Sequence, residues 1–129
     1  MKKLITLCLA FLSFPALALD VAGHWWQPTE PGWGMAIQQQ RDTAFIQLYT
    51  YDADGLPVWY VASCPLTSAV CSATLYETAG GSPLPYYTKP TSAPAGVITL
   101  TFLSDRAAVF SFKIGDGPAW TKDIEKMTF

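Results

Sequence analysis

The amino-acid sequence predicts an all-β protein, an antiparallel meander of eight strands closing into a small barrel, with a two-layer β-sandwich as the alternative. Three observations carry this expectation. Apolar residues recur at every second position rather than at the helical period of 3.6. The stretches so patterned are separated mostly by short segments carrying Gly, Pro, Asp or Ser. No segment of helical period lies between them. Closure follows from the liability of open edges, whose unpaired N–H and C=O groups recruit other chains, and the predominance of hairpin connections favours the barrel.

The first strand runs from Gly23 to Gln27 and stops at Pro28, since proline cannot donate to a ladder. A loop over Pro28 to Gly32 leads to Trp33 to Gln40, where Met35 and Ile37 face one way and Gly34, Ala36 and Gln38 the other. Arg41-Asp42 connects to a third strand, Thr43 to Tyr51, with Ile46 and Leu48 on one face and Phe45, Gln47, Tyr49 and Tyr51 on the opposite one. Asp52 to Gly55 closes the next hairpin, with Gly55 free to take a positive φ. The fourth strand, Leu56 to Ser63, presents Trp59 and Val61 on one side and Val58 and Tyr60 on the other. Pro57 sits near its start, where a lost N–H costs least. Val70 to Thr78 is the fifth strand. Ala79 to Gly96 then breaks the pattern with four Pro and three Gly around Tyr86 and Tyr87, and a loop of this length reads as a lid or a crossover. Val97 to Leu103, Arg106 to Ile114 and Ala119 to Phe129 complete the eight, joined at Ser104-Asp105 and at Gly115 to Pro118.

The N-terminal residues have the pattern of a secretory signal peptide: Lys2 and Lys3, an apolar run from Leu4 to Phe14, and the small-x-small sequence Ala16-Leu17-Ala18. Residues 1–18 are therefore expected to be removed, leaving 19–129 as one domain with no membrane span, secreted or periplasmic. The apolar run is too short to cross a bilayer, which takes roughly 20 residues. Without Lys2 and Lys3, Lys+Arg falls from 8 to 6 against 10 Asp+Glu, a net charge of −4, and an acidic surface repels phosphate backbones. Nucleic acid is not an expected partner. A domain of this size buries roughly 65% of its unfolded surface, enough for its own core. Cys64 and Cys71 close the segment CPLTSAVC, read as a hairpin tip. Export places them where thiols oxidise, and the expected disulfide contributes roughly 2–3 kcal/mol for so short a loop. The rival reading, a metal site, has only half of a tetrahedral ligand set.

The sequence G-x-W-W-x-P-x-x-P-G-W-G from Gly23, followed by Y-x-Y-D-x-x-G-x-P-x-W-Y from Tyr49, resembles a domain that recurs in secreted proteins of proteobacteria. The paired cysteines, the alternating VITLTF strand and the closing T-K-x-I-x-K-x-x-F of Thr121 to Phe129 are similar too. The resemblance spans nearly all of 19–129 and implies a secreted all-β unit, in a family without an assigned activity. The G-x-W start with a glycine-bearing second strand is also similar to avidin-like and other calycin barrels, but the hydrogen-bonding residues of a biotin site have no counterparts here.

Catalytic constellations are poorly represented. The sole His, His24, lies beside Trp25 in a strand, and no Gly-x-Ser-x-Gly elbow accompanies it. Glu30, Asp52, Asp54 and Glu77 lie in or near turns, where acidic residues are ordinary, rather than as an evident glycosidase pair. Asp52-x-Asp54-Gly55 imitates the start of a calcium loop but lacks its later ligands. The chain is expected to be no enzyme and to need no metal or cofactor. What stands out is aromatic density: four of the 5 Trp and three of the 6 Tyr fall between Gly23 and Tyr60. Aromatic residues on both faces of strands three and four exceed what one core needs. The expected ligand site is Trp33, Gln47, Tyr49, Tyr51 and Tyr60, partly covered by the 79–96 loop. Two readings follow: a non-catalytic binding module using an aromatic-lined face or lumen for a small apolar, sugar or peptide ligand, or an envelope protein-interaction domain or inhibitor of a foreign hydrolase.

Overall fold

A computed structural model describes residues 19–129; the expected signal peptide lies outside them. The described chain is all-β: β1 (Gly23–Trp26), β2 (Gly34–Gln40), β3 (Thr43–Tyr51), β4 (Pro57–Pro65), β5 (Val70–Ala79), β6 (Thr91–Phe102), β7 (Ala107–Ile114) and β8 (Trp120–Lys126). Each strand pairs antiparallel with the next. β8 returns to β1 through Trp25↔Lys126 and Trp26↔Glu125, so the sheet closes as a barrel and not as a sandwich.

Period two decides what fills the barrel. Met35 and Ile37 of β2, Ala44, Ile46 and Leu48 of β3, Ile98, Leu100 and Phe102 of β6, Phe110 of β7 and Ile124 of β8 all point inward and are buried. With Trp25, whose ring meets Phe102 edge-on at 5.5 Å, they make the lumen a packed core.

The two ends of the barrel differ. One is stoppered by the segment before β1. Val21 is fully buried, its N–H donates to Gln39 Oε1 at 2.9 Å, and its carbonyl accepts from Trp25 Nε1 at 2.9 Å. Gln39 Nε2 donates to the Leu19 carbonyl. The Cys64–Cys71 disulfide closes the β4–β5 hairpin at this same end, with a Cα–Cα separation of 5.7 Å and both residues buried. At the other end, where β3 turns into β4 and β7 into β8, the loop between β1 and β2 bends over the mouth.

The stretch 79–96 is neither wholly loop nor a crossover. β5 and β6 are hydrogen-bonded neighbours from Val70↔Thr101 to Ala79↔Thr91, so the connection proper is 80–90. Pro94 and Gly96, which argue against a strand here, are tolerated for identifiable reasons. β7 leaves the ladder at Gly96↔Ile114, so Pro94 lies on a free edge where its missing N–H breaks nothing. At Gly96 a Cβ would collide with the Lys113 carbonyl, so only glycine fits beside the register shift between Leu75 and Tyr76.

Candidate functional site

The five residues expected to form one ligand site are divided by the barrel wall. β3 and β4 pair as Leu48↔Tyr60, Tyr49↔Trp59 and Tyr51↔Pro57. Tyr60 therefore shares the inner face with Leu48 and is only 6% exposed, whereas Tyr49 (47%) and Tyr51 (53%) face outward. The cause is the hairpin turn. Leu56 belongs to it, its N–H donating to Asp52 Oδ1 at 2.8 Å and its carbonyl accepting from the Asp52 N–H at 2.9 Å. The turn is thus one residue longer than Asp52 to Gly55, and a one-residue change of register exchanges the faces of a whole strand. The outer partner of Tyr49 is Trp59, 54% exposed, not Tyr60. Burial holds the Tyr60 phenol above its usual pKa, and the negative charges of Glu77 and Asp52 push in the same direction.

The outer face of β2 to β4 is built from a distinctive set of side chains. None of the three strands contains a charged residue. Outward on β3 come Phe45, Gln47, Tyr49 and Tyr51, with Trp59 and Val61 beside them on β4. Gly34 and Ala36 make β2 a low floor between this aromatic row and Trp26 of β1. A side chain at Gly34 is excluded, since its Cβ would stand 2.9 Å from the Trp25 carbonyl. The resulting hollow, about 160 Å³, has Trp26, Trp33, Tyr49 and Met127 around it. Larger depressions lie elsewhere on the wall: about 690 Å³ at the β2–β3 turn, lined by Gln38 and Phe45 together with the charged Arg41 and Asp42, and about 510 Å³ where Trp59 meets Gly80, Pro83 and Pro90. The 80–90 loop thus borders the aromatic row at Trp59 without covering Tyr49 or Tyr51.

Trp33 serves the barrel mouth. Its ring stacks on Phe110 at 5.7 Å, Phe110 stacks on Phe112 at 4.8 Å, and its Nε1 donates to Glu30 Oε2 at 3.1 Å. Lys122 points inward from β8, because Phe110↔Lys122 are register partners. Its Nζ donates to both Glu30 oxygens, at 2.7 and 2.9 Å. The Lys122 hydrogen bond is the largest influence holding the Glu30 carboxyl below its ordinary pKa; burial opposes it, and the Trp33 hydrogen bond and the Lys122 charge add smaller contributions in the lowering direction. This cluster is not evident from sequence because its members come from the β1–β2 loop, β3, β7 and β8. The alternation of β8 sets Lys122 on the same face as Ile124, a lysine on a core-facing row, and that is the signal in the sequence.

His24 lies on the outer face of β1 with its ring 6.1 Å from that of Phe129. Among the described residues no three His, Cys, Asp or Glu side chains converge as metal ligands, and no helix is long and apolar enough to cross a membrane. No family model, curated protein or solved structure matches this chain.

Proposed function

We propose that the protein is a non-catalytic binding module, working outside the cytoplasm, whose outer β2–β4 face takes a neutral sugar chain. The observation that carries this reading is the pairing of exposed aromatic rings with amides on three strands that hold no charge. Tyr49 and Trp59 are directly opposed, with side chains roughly 5 Å apart at the Cβ atoms. Tyr51 lies two residues further along the same face, roughly 7 Å away. Rings so placed offer flat apolar platforms with a polar handle, and Gln38 and Gln47 supply donors and acceptors between them. A charged ligand finds no counter-charge on these strands. A neutral, hydroxylated chain with apolar ring faces finds both partners it needs. The disulfide suits an oxidising compartment, in keeping with export.

The test is retention of the protein on immobilised or soluble neutral polysaccharides, compared with Tyr49→Ala and Trp59→Ala. Retention by a glycan and its loss in both variants supports the reading. Retention unchanged by either substitution refutes the site.

A second reading, a protein-interaction domain, is favoured by one feature. The β5–β6 hairpin carries Leu84 (92% exposed), Tyr86 and Tyr87 (81%) at its tip, apolar side chains that a protein partner would cover. Deleting 81–89 separates the two readings, since sugar binding across Tyr49 and Tyr51 survives it and protein capture through the tip does not.

A further inference from the structure

The mouth of the barrel contains a cavity of about 190 Å³ whose floor and walls are Leu48, Phe110, Phe112 and Trp33 and whose rim is Thr50, Glu30 and Lys122. We propose that this cavity is a second, independent binding site, for a neutral six-membered aromatic ring bearing one hydroxyl, the phenol class of ligand.

Size comes first. An engineered apolar cavity of about 150 Å³ takes up benzene, so this hollow, open to solvent at its rim, has room for one ring. The lining is largely aromatic: Phe110 stacks on Phe112 within 9°, and Trp33 is inclined 30° to Phe110. A ring entering here is offered aromatic surface as well as the Leu48 side chain at the floor.

Hydrogen-bonding capacity then sets the number of polar groups. Lys122 has three N–H donors, and two are spent on Glu30. Glu30 has about four acceptor positions, of which three are taken by Lys122 and Trp33. One donor, one acceptor and the Thr50 hydroxyl remain, all at the rim. A single hydroxyl reaching the rim is satisfied. A hexose would turn further hydroxyls toward Leu48, Phe110 and Phe112, where an unpaired polar group is penalised.

Charge sets the last requirement. Glu30 and Lys122 already neutralise each other at 2.7 Å. A carboxylate would have to draw Lys122 away and come to rest beside Glu30, and an amine would leave Lys122 uncompensated. Either outcome takes a partner from an ion pair whose side chains are 33% and 41% exposed, a penalty that solvent moderates, whereas a neutral hydroxyl leaves the pair intact.

The experiment is a methyl NMR titration of the oxidised protein with phenol, following the Leu48 and Thr50 methyl signals, with benzoate, benzylamine and glucose as comparators. Saturable shifts at both methyls with Kd on the order of 1 mM, and at least about tenfold weaker binding of each comparator, are the expected result. Thr50→Val, which keeps the size and removes the hydroxyl, should weaken phenol about fivefold, and Glu30→Gln should raise benzoate relative to phenol about threefold by freeing the Lys122 charge. Tyr49→Ala should leave phenol binding unchanged, so failure of the outer-face reading and failure of this one are distinguishable. No saturable shift at the two methyls, native-protein binding of benzoate or glucose as tight as phenol, or a Glu30→Gln variant with unaltered selectivity would each overturn the proposal.

Discussion

Ile46 and Tyr49, three residues apart on β3, point to opposite sides of the barrel wall. Ile46 is fully buried between its register partners Ile37 and Ala62. Its neighbours are held by ladders on both sides, so truncation leaves a void that the wall cannot collapse to fill. Ile46→Ala should cost about 3–4 kcal/mol, and for a domain of this length that lowers Tm by about 10–20 °C. Tyr49 points the other way and about half of it is in solvent. Tyr49→Ala removes the cross-strand neighbour of Trp59, a pairing worth up to about 1 kcal/mol, and should move Tm by less than about 5 °C. Urea unfolding followed by far-UV circular dichroism measures both, with an unchanged m value showing that the same transition is compared. If Tyr49→Ala destabilises as much as Ile46→Ala, the outer aromatic row is covered core. The assignment of β3's two faces to stability and recognition is then wrong.

Reduction of the Cys64–Cys71 bond should lower stability by about 2–3 kcal/mol, read as the shift in urea midpoint with and without reductant. The raised pKa of Tyr60 means that the folded state holds the phenolic proton more tightly than the unfolded state. The group therefore leaves stability unchanged at low pH and subtracts from it as pH rises past about 10, where the unfolded phenol ionises. Tyr60→Phe should flatten that alkaline decline in a series of Tm measurements, and an unchanged slope would exclude Tyr60 as its source.

Most of the architecture is legible in the chain because period-two alternation is a direct imprint of a sheet with one packed face. Met35/Ile37, Ile46/Leu48 and Ile98/Leu100/Phe102 identify the inward positions without reference to any neighbour. β3 runs from Thr43 to Tyr51 as its alternation implies. Legibility fails where a position depends on something several residues away. The face of Tyr60 depends on whether Leu56 is turn or strand, which is decided by hydrogen bonds from Asp52 rather than by Leu56's own propensity. The strand character of Thr91 to Gly96 depends on the absence of β7 at that level of the sheet, which lets Pro94 sit in a ladder with one side open. The Glu30–Lys122 pair joins residues on opposite sides of the closure between β1 and β8, and sequence separation hides it entirely. Trp33 lies in the turn before β2, as the sequence implies, but the stacking of its ring on Phe110 at the barrel mouth depends on a partner far along the chain.

Recognition of a neutral sugar chain by the outer β2–β4 face is read out by mapping backbone amide shifts while the protein is titrated with neutral hexasaccharides: chitohexaose, cellohexaose and maltohexaose. Saturable shifts with at least one of them, concentrated at Gln47, Tyr49, Tyr51 and Trp59 and absent from Leu84 to Tyr87, are the expected result. Shifts confined to the 80–90 tip or to the barrel mouth, or no saturable shifts with any of the three, would contradict it.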